Sequence, residues 1–340
     1  MRAVGFREPL GVDEPECLID FEVDDPEPTG HDLLVEIRAI SVNPVDTKIR
    51  RAAPAPDGGP RILGWDAAGV VRAVGEHVEL FAPGDEVWYA GDLTRPGTNA
   101  ELHLVDERIV GRKPRTLDFA AAAALPLTAI TAWELLFDRL GVPKSSSGVG
   151  GGSLLIIGAA GGVGSILTQL AAQLTDLTVV GTASRPESAD WVRSMGADHV
   201  IDHSRSMAEQ LDEIGMPQVT YVASLTHSAD HFPTVVELLA PQGKYGLIDD
   251  PAPGAIDINA LKRKSASLHW EFMFTRSMFG TDDMVAQHHL LDEVADLVDG
   301  GILRSTGATD GGVVNASNLI AAHTLLESGR SVGKLTLAGF

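Results

Sequence analysis

An α/β fold in two parts, a mainly β domain and a doubly wound parallel-sheet domain, is predicted by three observations. From Leu154 to Ile248 short apolar strands alternate with helical segments, the pattern of a parallel sheet covered on both faces. Ahead of Leu125 the chain reads as short strands separated by Pro and Gly turns, which suggests a mainly β domain. At 340 residues the chain is too long for one ordinary core, and the length favours two domains.

The elements follow in order. Met1-Arg2-Ala3-Val4 reads as a first strand rather than a signal peptide. Strands are then expected at Leu33–Ile37, Ala67–Val74, Glu86–Tyr89 and Glu101–Val105. An alanine-rich run followed by Leu127, Ile130, Leu135 and Leu136 predicts helix between Asp118 and Leu140. Ser145 to Ser153, rich in Ser and Gly, reads as a flexible connection. Strands at Leu154–Ile157, Thr178–Ala183, His199–Ile201, Val219–Ala223 and Gly243–Ile248 follow, with a helix from Val163 to Leu174 after the first of them. After about Lys264 strand and helix signals mix, Leu290–Val298 among them, and a late strand, Gly333–Leu337, closes the chain. A strand that late is expected to return to the first domain, so the parallel-sheet domain, 127–264, is read as inserted between 1–126 and 265–340.

Hydrophobic residues at 44% and charged residues at 21% suit a soluble globular enzyme and exclude a disordered or fibrous chain. No apolar run reads as reaching the roughly 20 residues that span a bilayer, so no membrane partner and a cytoplasmic location are expected. A net charge of −21 argues against nucleic acid as a partner, since a polyanion needs a basic footprint. An anionic ligand would need a local positive pocket, for which Arg185, Lys244 and Lys334 are candidates. The single cysteine, Cys17, excludes an intramolecular disulfide and a thiolate cluster for structural zinc, and reads as an uncatalytic thiol.

The chemistry is carried first by Ser153 to Gly164, where an apolar strand meets a glycine-rich turn and a new helix. Gly158 makes the tight turn, Gly161 and Gly162 let backbone N–H groups approach a dinucleotide pyrophosphate, and Gly164 lets helix lie close on strand; Ala160 and Val163 complete the turn. The helix N-terminus, with unpaired N–H groups and partial positive charge, stabilises the anion. About 20 residues on, where such a fold reads the adenosine ribose, stand Ser184 and Arg185. A hydroxyl and a guanidinium suit a 2′-phosphate where an acidic residue would suit the bare ribose, so NADPH is the expected cofactor.

Several motifs in order give the chain its resemblance: Ser41-Val42-Asn43-Pro44-Val45-Asp46-Thr47-Lys48, Leu63-Gly64-Trp65-Asp66-Ala67-Ala68-Gly69, Pro83-Gly84-Asp85-Glu86-Val87, Leu125-Pro126-Leu127-Thr128-Ala129, the glycine turn and Gly333-Lys334. Over nearly its whole length the chain resembles a medium-chain dehydrogenase/reductase, and within that superfamily it is similar to quinone oxidoreductases and zinc-type alcohol dehydrogenase-like proteins. The resemblance implies a GroES-like β domain built from both chain ends, a Rossmann domain between them, a cleft where they meet, and a homodimer that extends the Rossmann sheet, with Gly243–Ile248 nearest that edge. It implies that Thr128 and Lys334 help hold the cofactor, with Ile248 beside it, and that Asn43 and Asp46 line the nicotinamide end. Trp270 to Arg276 is rich in aromatics and is implied to pass near the nicotinamide; Phe272 and Phe274 read either as an apolar wall there or as core packing.

Zinc-dependent relatives carry cysteine where Asn43 stands and Gly-His-Glu where this chain has Gly64-Trp65-Asp66, and they carry a cysteine-rich lobe absent here. A catalytic zinc needs three convergent ligands, so no metal is expected; His199, His203, His227, His231, His288 and His289 read as surface or capping residues. Without a Lewis acid, hydride transfer to a simple ketone leaves an unstabilised alkoxide, whereas a quinone or an α,β-unsaturated carbonyl spreads the charge. The expected reaction is therefore hydride transfer from NADPH to such a small molecule, with Asn43 donating to the acceptor oxygen or to a bridging water. Asp46 either orients Lys48 or the ribose, or braces its loop. Lys48 and Tyr89 are the candidates for proton donor, although Tyr89 reads first as a core or rim tyrosine. The competing readings are an NADP(H)-dependent alcohol dehydrogenase and a non-catalytic NADPH-binding sensor or structural protein.

Overall fold

A computed structural model describes residues 1–56, 59–145 and 151–340. The chain forms two compact units, one of residues 1–130 and 274–340, the other of residues 131–273. The sequence placed the borders at 126/127 and 264/265.

The first unit opens with β1 (Arg2–Phe6), β2 (Ile19–Glu22), β3 (Asp32–Ser41), α1 (Pro44–Ala52), β4 (Arg61–Ile62), β5 (Ala67–Val74), β6 (Glu86–Tyr89), β7 (Leu102–Asp106), β8 (Val110–Arg112), α2 (Phe119–Ala123) and α3 (Pro126–Trp133). β3 carries it: Leu33, Val35, Ile37, Ala39 and Ile40 are buried, and β5 and β7 both pair with it antiparallel. Gly69 permits that approach, because a Cβ there would lie 2.2 Å from the Glu36 carbonyl oxygen. A smaller sheet has the order β2-β1-β4.

The second unit is a six-stranded parallel sheet. Its elements are β9 (Ser153–Ile157), α4 (Gly162–Leu174), β10 (Thr178–Thr182), α5 (Pro186–Ser194), β11 (His199–Ile201), α6 (Met207–Glu213), β12 (Val219–Ser224), α7 (Ser228–Leu238), β13 (Leu239–Leu247) and β14 (Ser267–Trp270). The strand order β11-β10-β9-β12-β13-β14 reverses direction between β9 and β12, which is the switch point where such sheets bind ligands. β9 is buried at every residue, as a central parallel strand must be. Leu155, Val180, Val222, Phe232, Val235 and Tyr245 form the core on one side.

The chain then returns to the first unit through α8 (Thr275–Phe279), α9 (Ala286–Asp299), β15 (Gly307–Asp310), α10 (Ala316–Glu327) and β16 (Lys334–Ala338). β16 pairs antiparallel with β3, Thr336 opposite Ser41, so the late strand closes the β unit as expected. The larger sheet has the order β15-β16-β3-β5-β6-β8. The fold is thus a GroES-like β domain with an inserted Rossmann domain.

Three expectations need correction. Gly243–Ile248 is not at the sheet edge: β13 pairs with β12 on one side and β14 on the other, and β14 is the edge. The stretch Phe119–Arg139 is long and apolar enough to cross a membrane, but 83% of its apolar window is buried inside the protein, so its apolarity is that of a core element. Of the connection read at Ser145 to Ser153, residues 146–150 lie outside the described ones, while Ser153 already belongs to β9.

Candidate functional site

In the Rossmann unit the turn after β9 has the form of a phosphate cradle. Gly158 adopts a φ of +86°, which a side chain would strain, and its N–H donates to Thr182 Oγ1 over 3.1 Å. A Cβ on Gly164 would lie 2.5 Å from the Gly158 carbonyl oxygen and 2.6 Å from Ala159, so only glycine lets α4 start against the strand. Gly161 is the N-cap of α4 and supplies no side-chain cap, leaving the first N–H groups of a 13-residue helix to be met from outside. Ala160, Gly161, Gly162 and Val163 are all half-buried. Ser165 donates to the Gly161 carbonyl over 2.7 Å and accepts from Trp191 Nε1 over 2.8 Å, which fixes the turn from behind. These residues fit a dinucleotide pyrophosphate, whose charge the helix terminus favours.

The other nucleotide candidates are spread more widely, Lys244 lying level with Leu154 near the start of β9. Ser184 and Arg185 are exposed just past β10, Arg185 as the N-cap of α5. Ile248 is half-buried one residue beyond β13. Lys244 donates to the Leu140 carbonyl over 2.7 Å. Phe272 is 46% exposed, whereas Phe274 is 3% exposed and belongs to the other unit, so the two form no wall within either unit.

In the β unit the candidates gather in a buried polar cluster. Lys334 Nζ, at the start of β16, donates to Asn43 Oδ1 over 2.5 Å and to the Val42 carbonyl over 3.0 Å, and lies 3.1 Å from Asp66 Oδ2. Asn43 Nδ2 donates to Asp66 Oδ2 over 3.2 Å and to the Ser41 carbonyl over 3.4 Å. Asp66 Oδ1 accepts the Leu127 N–H over 3.2 Å. Burial pushes Asp66 up and Lys334 down, each opposed by the other's charge. The bonding favours the ionised pair, because three acceptors around Nζ call for three protons and every partner of Asp66 is a donor. Asp46 Oδ2 accepts the Asn43 N–H over 2.6 Å while Oδ1 has no partner, and burial raises the Asp46 carboxyl to about 7.

This geometry redirects several residues. Asn43 spends its amide inside the cluster, so it does not stand free to donate to an acceptor oxygen. Lys334 faces Asp66, not an outside anion. Asp46 braces the start of α1, and Lys48 is exposed two residues along that helix. Thr128 is buried and donates to the Leu125 carbonyl over 3.0 Å. Tyr89 is fully buried: its hydroxyl lies 3.0 Å from His103 Nδ1, and His103 Nε2 lies 3.0 Å from the Pro96 carbonyl. Since Nε2 must donate to that carbonyl, Nδ1 accepts and the tyrosine proton is already engaged. Burial lowers His103 to about 4 and raises Tyr89, so the pair is neutral and structural.

Two residues escaped the sequence reading. Glu134 and Glu271 are buried and share Arg139, whose Nε donates to Glu271 Oε2 over 2.8 Å. Burial and the neighbouring Glu134 charge raise the Glu271 carboxyl well above its usual range, so one proton stays in the pair at neutral pH. A glutamate set within an apolar helical run was the visible signal for Glu134.

A zinc ion does not fit the position implied by the resemblance. Asn43 and Asp66 are bonded to the Lys334 ammonium, and Trp65 is a buried indole donating to the Asp92 carbonyl over 3.1 Å. Both Asn43 and Asp66 are already engaged by the protein's own cation. Among the described residues no group of three or more His, Cys, Asp or Glu could hold a metal ion.

Comparison with known proteins agrees with this architecture. Residues 162–299 match the family described as zinc-binding dehydrogenase, and residues 29–115 the alcohol dehydrogenase GroES-like domain. A putative zinc-dependent alcohol dehydrogenase protein from Rhizobium etli is 54% identical, with a TM-score of 0.95 over 100% of this chain and 98% of that one. A zinc-type alcohol dehydrogenase-like protein from Staphylococcus epidermidis is 40% identical over 99% of both chains. A quinone oxidoreductase from Pseudomonas syringae is 27% identical over 99% of both chains, with a TM-score of 0.83. The chain therefore belongs to the medium-chain dehydrogenase/reductase superfamily of oxidoreductases, among the zinc-type alcohol dehydrogenase-like proteins.

Proposed function

We propose that this protein is an NADPH-dependent oxidoreductase that delivers hydride to a quinone ring or to the β-carbon of an α,β-unsaturated carbonyl without a metal. The observation that carries the reading is the Asn43–Asp66–Lys334 cluster, in which an internal ammonium occupies the ligands a Lewis acid would need. When bound, the nicotinamide supplies the hydride. The cradle at Gly158 to Gly164 holds the pyrophosphate, and Ser184 and Arg185 offer donors to a 2′-phosphate. Positioning the two reactants supplies about 7 to 11 kcal/mol toward the barrier, which an activated acceptor needs more than electrophilic help. The Pseudomonas syringae likeness supports a quinone as one acceptor class.

The test is cofactor oxidation against quinones, enones, aldehydes and secondary alcohols, with and without chelator. Turnover of quinones or enones that chelator leaves unchanged is expected. Turnover confined to simple alcohols and aldehydes and lost to chelator would establish the zinc-type alcohol dehydrogenase reading suggested by the relatives' names. A homodimer remains part of this proposal, built through the exposed edge of β14.

A further inference from the structure

Two buried carboxyls in the Rossmann unit share one guanidinium at the carboxyl edge of its sheet. Glu134 opens the π-helical turn Glu134–Arg139 that continues α3, and Glu271 follows the last residue of β14. Neither carboxyl side chain reaches solvent, whereas Arg139 is 32% exposed. Arg139 Nε donates to Glu271 Oε2 over 2.8 Å, and Arg139 Nη2 lies 3.5 Å from Glu134 Oε2. Glu271 Oε1 is buried without a hydrogen-bond partner. The Glu271 N–H donates to the Leu247 carbonyl over 3.1 Å, which sets Glu271 level with the end of β13, one residue short of Ile248. The glycine turn and the ribose-reading position belong to the half of the sheet that starts with β9. The half beyond the switch point, β12 to β14, is therefore the one whose strand ends face the nicotinamide part of a dinucleotide.

We propose that Glu134 and Glu271 keep one proton between them and release it when a cationic nicotinamide ring stands at the end of β14, so that the oxidised nucleotide binds more tightly as pH rises. The proposal rests on the nucleotide reading above. It adds a proton store that responds to the redox state of the cofactor.

A charge count supports the store. With one proton, the two carboxyls and the Arg139 guanidinium are neutral together; without it they carry one negative charge closed off from water, which is costly. The proton has a place to sit, because Glu271 Oε2 accepts from Arg139 while no donor faces Oε1. Burial and then the Glu134 charge push the Glu271 carboxyl up, against the charge of Arg139. The other ionisable groups on the elements around it leave that balance in place. Lys244 on β13 is turned to the Leu140 carbonyl, and Asp138 on the helical turn is exposed. His269 on β14 is kept low by burial and by the charges of Lys244 and Arg139. A positive ring brought into the same low-dielectric region favours the fully ionised pair and drives the proton out. The balance closes over one turnover. The acceptor takes the hydride with its electron pair and one proton; the pair gives up one proton to water as the ring becomes cationic, and regains one when reduced nucleotide replaces oxidised.

The experiment titrates the whole protein with NADP⁺ and with NADPH between about pH 6.5 and 9 and follows the ratio of the two affinities, in which the ribose phosphate common to both cancels. The ratio is expected to shift toward NADP⁺ by at least about threefold per unit of rising pH over part of that range, up to the tenfold of one fully linked proton. Glu271→Gln, which copies the protonated carboxyl, and Glu134→Gln should each flatten the ratio. Binding heats in buffers of different protonation enthalpy, measured on the unmodified protein, should show proton release with NADP⁺ and none with NADPH. A ratio independent of pH, equal proton release for both nucleotides, or an unchanged slope in both variants would overturn the store and leave the nucleotide reading standing. The same ratio taken with NAD⁺ and NADH tests the store if the phosphorylated nucleotides fail to bind, which would overturn the NADPH reading alone. Failure of all four nucleotides to bind at every pH would overturn the two together.

Discussion

Lys334, Asp66 and Asn43 show how one buried charge can organise a site. Removing one partner of such a pair leaves the other uncompensated, so Lys334→Met should destabilise the fold by about 3 to 5 kcal/mol in urea denaturation. Pairing it with Asp66→Asn should recover a good part of that loss, because no bare carboxylate remains. Asp46 gives a pH test. Its carboxyl is raised to about 7 by burial, so the protonated form is favoured in the folded chain, and its contribution to stability fades as pH rises from about 4 through about 7. The melting temperature of the unmodified protein should fall over that range, and Asp46→Asn should flatten the slope. The sequence placed Asn43, Asp46 and Lys334 in one functional list by resemblance, yet it did not show that they bond to one another. That bonding depends on β16 lying beside β3 from residues nearly 300 positions apart, with Lys334 and Asn43 separated by 291.

At the scale of elements, the glycine turn was the most legible feature, because each glycine answers a local steric demand. The prediction follows from the distances: Gly164→Ala drives a Cβ to 2.5 Å from a carbonyl oxygen, whereas Gly161→Ala meets its nearest atom at 3.5 Å. The first should cost about 1 to 3 kcal/mol in thermal or urea unfolding, and the second should leave stability nearly unchanged. β5, β6 and β11 fall on the residues the alternation marked. β14 and β15 did not declare themselves: Ser267–Trp270 is partly exposed, and Gly307–Asp310 is exposed throughout, so neither carries a hydrophobic period. The edge of the Rossmann sheet was misplaced for that reason. An edge is a property of pairing, and the local text of β13 is that of an interior strand.

At the scale of the whole molecule, the inserted arrangement was legible because the closing strand came after the alternating region, and the β pattern came before it. The family followed from the order of its motifs. The reaction is less legible, since relatives with closely similar folds bear both alcohol dehydrogenase and quinone oxidoreductase names. The donor set decides between those chemistries, and it is built by the first unit from both chain ends. Direct evidence would come from NADPH deuterated at the transferring position, incubated with an enone and protein stripped of metal, with the product read by NMR. Deuterium at the β-carbon at the rate seen before stripping is the predicted result; no transfer until zinc is restored would contradict the account.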